Sequence, residues 1–203
     1  MDAVQVAALR EILAGSEWLR DTRRFGGALR STVGARGGGL LLVGTATYEP
    51  WHLAAHLDDE AAWSGLPELA PTLVRHTVPR SAPAHLSVGL GRVESAGRAE
   101  TLLVVSEGRG AGEALLERVD GARRAGATVF ALASPEAECE LSALAHESLT
   151  SEGPDGIGLE TVQHLVSAAA GESVAARSRA PRRLRDHLTR LADHLTAPAP
   201  APW

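Results

Sequence analysis

The sequence predicts an α/β fold, a three-layer α/β/α sandwich built on a mostly parallel sheet, with helical additions at both ends. Three observations predict it. Residues 101–134, TLLVVSEGRGAGEALLERVDGARRAGATVFALAS, read as strand, glycine-rich turn, helix and strand in one unit. Residues 40–47 repeat the strand-then-turn order and lead into a segment opened by Pro50. Beyond residue 134 helical and strand patterns alternate again, at 135–145, 148–150 and 159–170.

The central unit carries the clearest signals. Leu102, Leu103, Val104 and Val105 form an unbroken apolar run, which is the pattern of a parallel strand covered on both faces. The turn at 106–112 holds three glycines. In the helix after it Leu115, Val119 and Ala122 share one face, and Gly126 stops it, a residue without Cβ being suited to the left-handed end of a helix. Residues 128–132 give the next buried strand. Ligands of such sheets bind beyond the carboxyl ends of the strands, which directs attention to the turn at 106–112.

Taken in order, residues 2–33 read as two helical segments divided near Gly15 and Ser16, with Val6, Leu9 and Leu13 on one face and Ser16 as an N-cap. Residues 34–39 (GARGGG) read as a break before the sheet. Leu40–Val43 is the first strand, residues 44–47 its exit turn, and a helix over 49–62 follows with Pro50 at its first position. Within residues 64–100 Leu73 and Val74 start a short strand among the prolines at 67, 71, 79 and 83. A last helix is expected over 181–196, with Leu184, Leu188, Leu191 and Leu195 in register, before the stiff tail APAPAPW. The expected division is N-terminal helices over 1–34, the α/β domain over 35–176, and a C-terminal helix and tail over 177–203.

Composition narrows the function classes. A hydrophobic fraction of 44% supports a real core, and only 3% of residues are aromatic, so Leu, Val and Ala must fill it. All 20 basic residues are Arg, and the net charge of −5 argues against broad nucleic-acid binding, which needs excess cations against the phosphates. The single cysteine, Cys139, excludes an internal disulfide. No stretch approaches the roughly 20 apolar residues of a membrane span, and no signal-peptide pattern opens the chain. A soluble, cytoplasmic protein that binds neither membrane nor nucleic acid is expected.

Two exit turns, 44–47 and 106–112, combine small residues with hydroxyls. Backbone N–H groups at a helix N-terminus favour an anion, and Arg109 adds a cation suited to phosphate. The alternative is that both are simply tight turns with capping hydroxyls. A dinucleotide motif is disfavoured, because Glu113 replaces the third glycine and Ser134, not an acidic residue, ends the next strand. His52 and His56 lie four apart, as do Glu160 and His164, so each pair shares a helix face. If the two helices converge, the four side chains form one cluster with metal-capable chemistry; otherwise they are surface groups. Trp51 is expected to pack in the core.

These turns resemble those of the sugar isomerase (SIS) domain, a phosphosugar-binding family. Gly44-Thr45-Ala46-Thr47-Tyr48 resembles the family's first turn, and Ser106-Glu107-Gly108-Arg109-Gly110-Ala111 stands where its S-x-S-G-x-T signature follows a strand. Gly108 replaces the second serine and Ala111 the threonine. The resemblance covers roughly residues 35–170 and is similar to the smaller stand-alone members, such as phosphoheptose isomerases. It implies a flavodoxin/Rossmann-like α/β fold, and a phosphorylated sugar or similar small anion held by Thr45, Thr47, Ser106, Gly108, Arg109, Gly110 and Ser134. It implies sugar-phosphate isomerase chemistry with Glu160 or His164 as the base, since aldose–ketose exchange moves a proton between adjacent carbons. It also implies zinc as the cofactor to consider, through His52 and His56, and a homodimer or homotetramer. The alternative is a non-catalytic regulatory or structural module whose pocket has decayed.

Overall fold

The computed structural model describes residues 17–108, 110–135, 138–151 and 158–172. Five strands form one all-parallel sheet in the order β2-β1-β3-β4-β5: β1 (Leu40–Val43), β2 (Pro71–Val74), β3 (Thr101–Ser106), β4 (Thr128–Ala133) and β5 (Glu147–Thr150). Among the described residues six α-helices pack on it: α1 (Glu17–Arg36), α2 (Trp51–Ser64), the single turn α3 (Gly91–Glu94), α4 (Glu113–Arg124), α5 (Glu138–Leu144) and α6 (Leu159–Gly171). The predicted α/β sandwich is the observed fold.

The unbroken apolar runs have a direct cause, because successive strand residues point to opposite faces and both faces here are covered. Leu40, Leu42, Leu103, Val105, Phe130 and Leu132 pack with Phe25 and Leu29 of α1, Leu53 and Leu57 of α2, and Val162 and Val166 of α6. Leu41, Val43, Leu102, Val104, Val129 and Ala131 pack on the other side with Val93 of α3, Leu115 and Val119 of α4, and Leu141 of α5. Each fully buried Leu or Val contributes roughly 1.5–3 kcal/mol relative to exposure. Phe25 meets Phe130 edge-on, with ring centroids 5.4 Å apart, and so locks α1 to β4.

Several boundaries differ from the sequence expectation. The helix α1 does not break at residue 34 but continues to Arg36, and the turn is made by Gly37 and Gly39, both at positive φ. Leu73 and Val74 end β2 instead of starting it. Pro71 opens that strand, which is tolerated because β2 lies at the sheet edge, where one side of its backbone needs no ladder bond. The expected helix over 49–62 is displaced by two residues: Pro50 is the N-cap, its carbonyl accepting the Ala54 N–H at 3.0 Å. The expected helices at 2–14 and 181–196 and the C-terminal tail lie outside the described residues. Among the described residues no helix is long and apolar enough to cross a membrane.

Strand order determines where a ligand can enter. From β1 the chain steps to β2 on one side, then returns across to β3 on the other. The connections therefore leave the carboxyl ends of β1 and β3 towards opposite faces, and the space between their exit turns is where a sheet of this order forms its ligand crevice.

Candidate functional site

Both predicted turns stand at this switch point. In the first, Thr45 is buried and Thr47 exposed, with their hydroxyl oxygens 3.3 Å apart. The Tyr48 N–H donates back to Thr45 O at 3.3 Å and closes the turn. His76 Nε2 lies 3.0 Å from Gly44 O, and a carbonyl can only accept, so this nitrogen carries the proton. Gly44 has no room for a side chain: a Cβ would collide with Tyr48 O and approach Pro50 Cδ to 2.7 Å.

The second turn follows Ser106, the last residue of β3. Ser106 is 0% exposed, and its Oγ has no hydrogen-bond partner among the described residues. Gly108, Gly110 and Gly112 all have positive φ (72°, 94° and 75°), which side-chain-bearing residues rarely adopt. Gly112 is the N-cap of α4 and supplies no side-chain acceptor, so the first N–H groups of that helix have no capping side chain. Ser134 lies next to the turn at the end of β4. Its N–H donates to Ser106 O at 2.9 Å, and its Oγ accepts the Gly108 N–H at 3.0 Å. Arg109 lies outside the described residues. Thr45, Thr47, Ser106, Gly108, Gly110 and Ser134 are thus grouped at the carboxyl ends of β1, β3 and β4.

The two histidine pairs do meet, since α2 packs along α6. His52 Nδ1 lies 3.5 Å from Glu160 Oε1, both side chains being more than 70% exposed. The His56 and His164 rings meet edge-on at 4.2 Å, and those of His52 and His164 are 6.5 Å apart. Among the described residues no group of three or more His, Cys, Asp or Glu side chains is arranged to hold a metal ion. The geometry supports an exposed His52–Glu160 contact beside an edge-on histidine pair.

The expectation that Trp51 packs in the core is corrected: it is 40% exposed. Its indole N–H donates to Glu49 Oε2 at 3.0 Å, and the Arg75 guanidinium sits 5.0 Å above its ring. Arg75 is tied to Glu49 by Nε, at 3.1 and 3.2 Å to the two carboxylate oxygens. An aromatic face with its own cation and carboxylate satisfies itself at the surface without a core.

Sequence reasoning missed Tyr48 and Gln163. Gln163 Nε2 donates to Tyr48 Oη at 2.7 Å, bridging the β1 turn and α6. Burial pushes the Tyr48 phenol above its usual range, opposed by the Gln163 hydrogen bond and reinforced by the carboxylates of Glu107 and Glu160. The available signal was one amide at position 163 among Leu159, Val162 and Val166, an interruption on the apolar face of a helix.

No protein-family model and no curated protein sequence matches the chain. Solved structures do. A candidate sugar-binding protein from Salmonella typhimurium LT2 aligns over 93% of this chain at 19% identity, with a TM-score of 0.56. A candidate phosphosugar isomerase from Silicibacter pomeroyi DSS-3 aligns over 93% at 17% identity, with a TM-score of 0.52. The chain spans about half of each of those proteins, 52% of their length. The sugar isomerase domain of an RpiR transcription factor from Sphaerobacter thermophilus aligns over 94% of this chain and 97% of its own, at 18% identity and a TM-score of 0.49. At TM-scores of 0.56 and 0.52 the first two structures share the fold of this chain, the α/β fold that its resemblance to the sugar isomerase domain implied.

Proposed function

We propose that this chain binds a phosphorylated sugar in the crevice between the exit turns of β1 and β3. The observation that carries this is the Ser106 hydroxyl, fully buried at the carboxyl end of β3 with no partner among the described residues. A buried hydroxyl without a partner costs roughly 1–3 kcal/mol, and a phosphate oxygen seated over the turn would remove that cost. The uncapped start of α4 and the three positive-φ glycines suit the same anion. A fold shared with a candidate sugar-binding protein and a candidate phosphosugar isomerase supports the assignment. Arg109 is assigned as the cation of this site, and Thr45, Thr47, Gly108, Gly110 and Ser134 as its remaining lining.

Within that proposal, isomerase chemistry would fall to Glu160 or His164 at the start of α6. A second reading, a binding module without catalysis, is favoured by Glu160 standing 72% exposed, since proton abstraction gains from exclusion of water. A homodimer or homotetramer and a cytoplasmic setting complete the proposal.

Thermal unfolding of metal-free protein against a panel of sugar phosphates, with and without zinc, tests it. A ligand at a hundred times its Kd stabilises the native state by about 2.7 kcal/mol. Stabilisation by one sugar phosphate, lost in Ser106→Ala, supports the pocket; turnover of that compound, lost in Glu160→Gln, supports the isomerase. Stabilisation by zinc alone, lost in His52→Ala, supports the metal instead. A panel without any response overturns phosphosugar binding.

A further inference from the structure

Two buried polar atoms near the crevice lack partners among the described residues. One is Ser106 Oγ; the other is Gln163 Oε1, on a side chain only 2% exposed. An amide placed among Leu159, Val162 and Val166 needs both of its ends satisfied. Gln163 satisfies one by donating to the Tyr48 phenol at 2.7 Å. Whichever way the amide is turned, one end pairs with the phenol and the other has no partner.

Tyr48 leaves the β1 exit turn, is fixed there by its bridge to Thr45, and reaches across to α6. In the observed orientation its oxygen accepts from Gln163, which leaves the phenolic proton free to be donated. Phenol and amide together form a group that exchanges hydrogen bonds with alcohols. The glycine turn offers backbone N–H groups instead, which suit an anion. The crevice therefore has two chemically distinct ends.

Resting on the phosphosugar proposal above, we infer that Tyr48 positions the hydroxylated carbon chain of the ligand. It donates to a hydroxyl or carbonyl oxygen of the sugar while Gln163 holds the phenol in place. The phosphate lies towards Ser106 and the glycine turn, and the polyol lies towards α6. The substrate class is thus a phosphate ester with free hydroxyls remote from the phosphorus, and compact anions use only half of the site.

Tyr48 is the only tyrosine in the chain, so protein labelled at the tyrosine ring Cζ gives one resonance. The full chain is titrated with inorganic phosphate and with a panel of sugar phosphates, and thermal unfolding is followed in parallel. Sugar phosphates that stabilise the protein are expected to move the Tyr48 resonance, and inorganic phosphate to leave it in place. Tyr48→Phe is expected to weaken the sugar phosphates by about tenfold or more, as for loss of a hydrogen bond inside a site, and to leave inorganic phosphate unchanged. Stabilising sugar phosphates that leave the resonance unmoved overturn the role of Tyr48 while the pocket stands. A panel that stabilises nothing overturns the pocket and this inference together. Should Tyr48→Phe not fold, the resonance of the unsubstituted protein decides alone.

Discussion

The hydroxyl oxygen of Ser134 accepts the backbone N–H of Gly108 at 3.0 Å, joining the end of β4 to the glycine turn that follows β3. The turn is therefore shaped by a neighbouring strand 26 residues along the chain. Its three positive-φ glycines supply the freedom to bend, and Ser134 selects one bend from those available.

Ser134→Ala is expected to lower stability by about 0.5–1.5 kcal/mol, the net value of one intramolecular hydrogen bond. Gly108 is partly exposed and its N–H can turn to water, which keeps the loss at that level. Urea unfolding measures it, and amide exchange at Gly108 should quicken in the same variant.

Ser106→Ala should behave in the opposite way. Removing a buried hydroxyl without a partner relieves a desolvation cost, so the free protein is expected to hold its stability or gain up to about 1 kcal/mol. The same variant is expected to lose most of the stabilisation given by a sugar phosphate. Unfolding with and without ligand separates the two effects, and a large loss in the free protein would mark Ser106 as purely structural.

Alkaline pH gives a third test. The folded protein holds the Tyr48 proton to higher pH than the ordinary value of 10.0, chiefly through burial. The unfolded chain releases that proton first, so stability falls as pH rises from about 10 through the folded-state value. With no lysine, one cysteine and one tyrosine, few other side chains titrate there. Tyr48→Phe is expected to flatten this part of the profile, measured by urea unfolding between pH 8 and pH 11.

Gly26 tests the α1–α6 contact. A Cβ there would lie 2.7 Å from Ala169 Cβ and 2.9 Å from both Ala170 N and Val166 O, two of which are backbone atoms with little room to yield. Gly26→Ala is expected to cost about 1–3 kcal/mol, the range for overpacking. Thermal unfolding measures it.

The sequence made β1, β3 and β4 legible because strands covered on both faces must be apolar at every position. It obscured β2, where Pro71 reads as a loop until the strand is known to lie at the edge. Gly34 suggested a break in α1, yet at that point a Cβ would meet only Leu66 Cδ1, at 3.5 Å, and the helix runs on. Spacing paired His52 with His56 and Glu160 with His164, but only the packing of α2 on α6 joins the two pairs. Tyr48 and Gln163 stand 115 residues apart, and nothing local to either announces the other. Chemistry assembled across such distances is visible only in the folded chain.

The contact between α1 and α6 has a consequence for synthesis on the ribosome. Arg30 donates to the carbonyls of Ala170 and Gly171, 140 and 141 residues further on, beside the seam where Gly26 admits α6. The first described helix must therefore wait for the last one. Phe25, Leu29 and Val33 stay without part of their covering until all five strands have left the tunnel. Loop closure over that distance slows the final step, so a nascent chain halted before residue 159 would offer this apolar seam to chaperones.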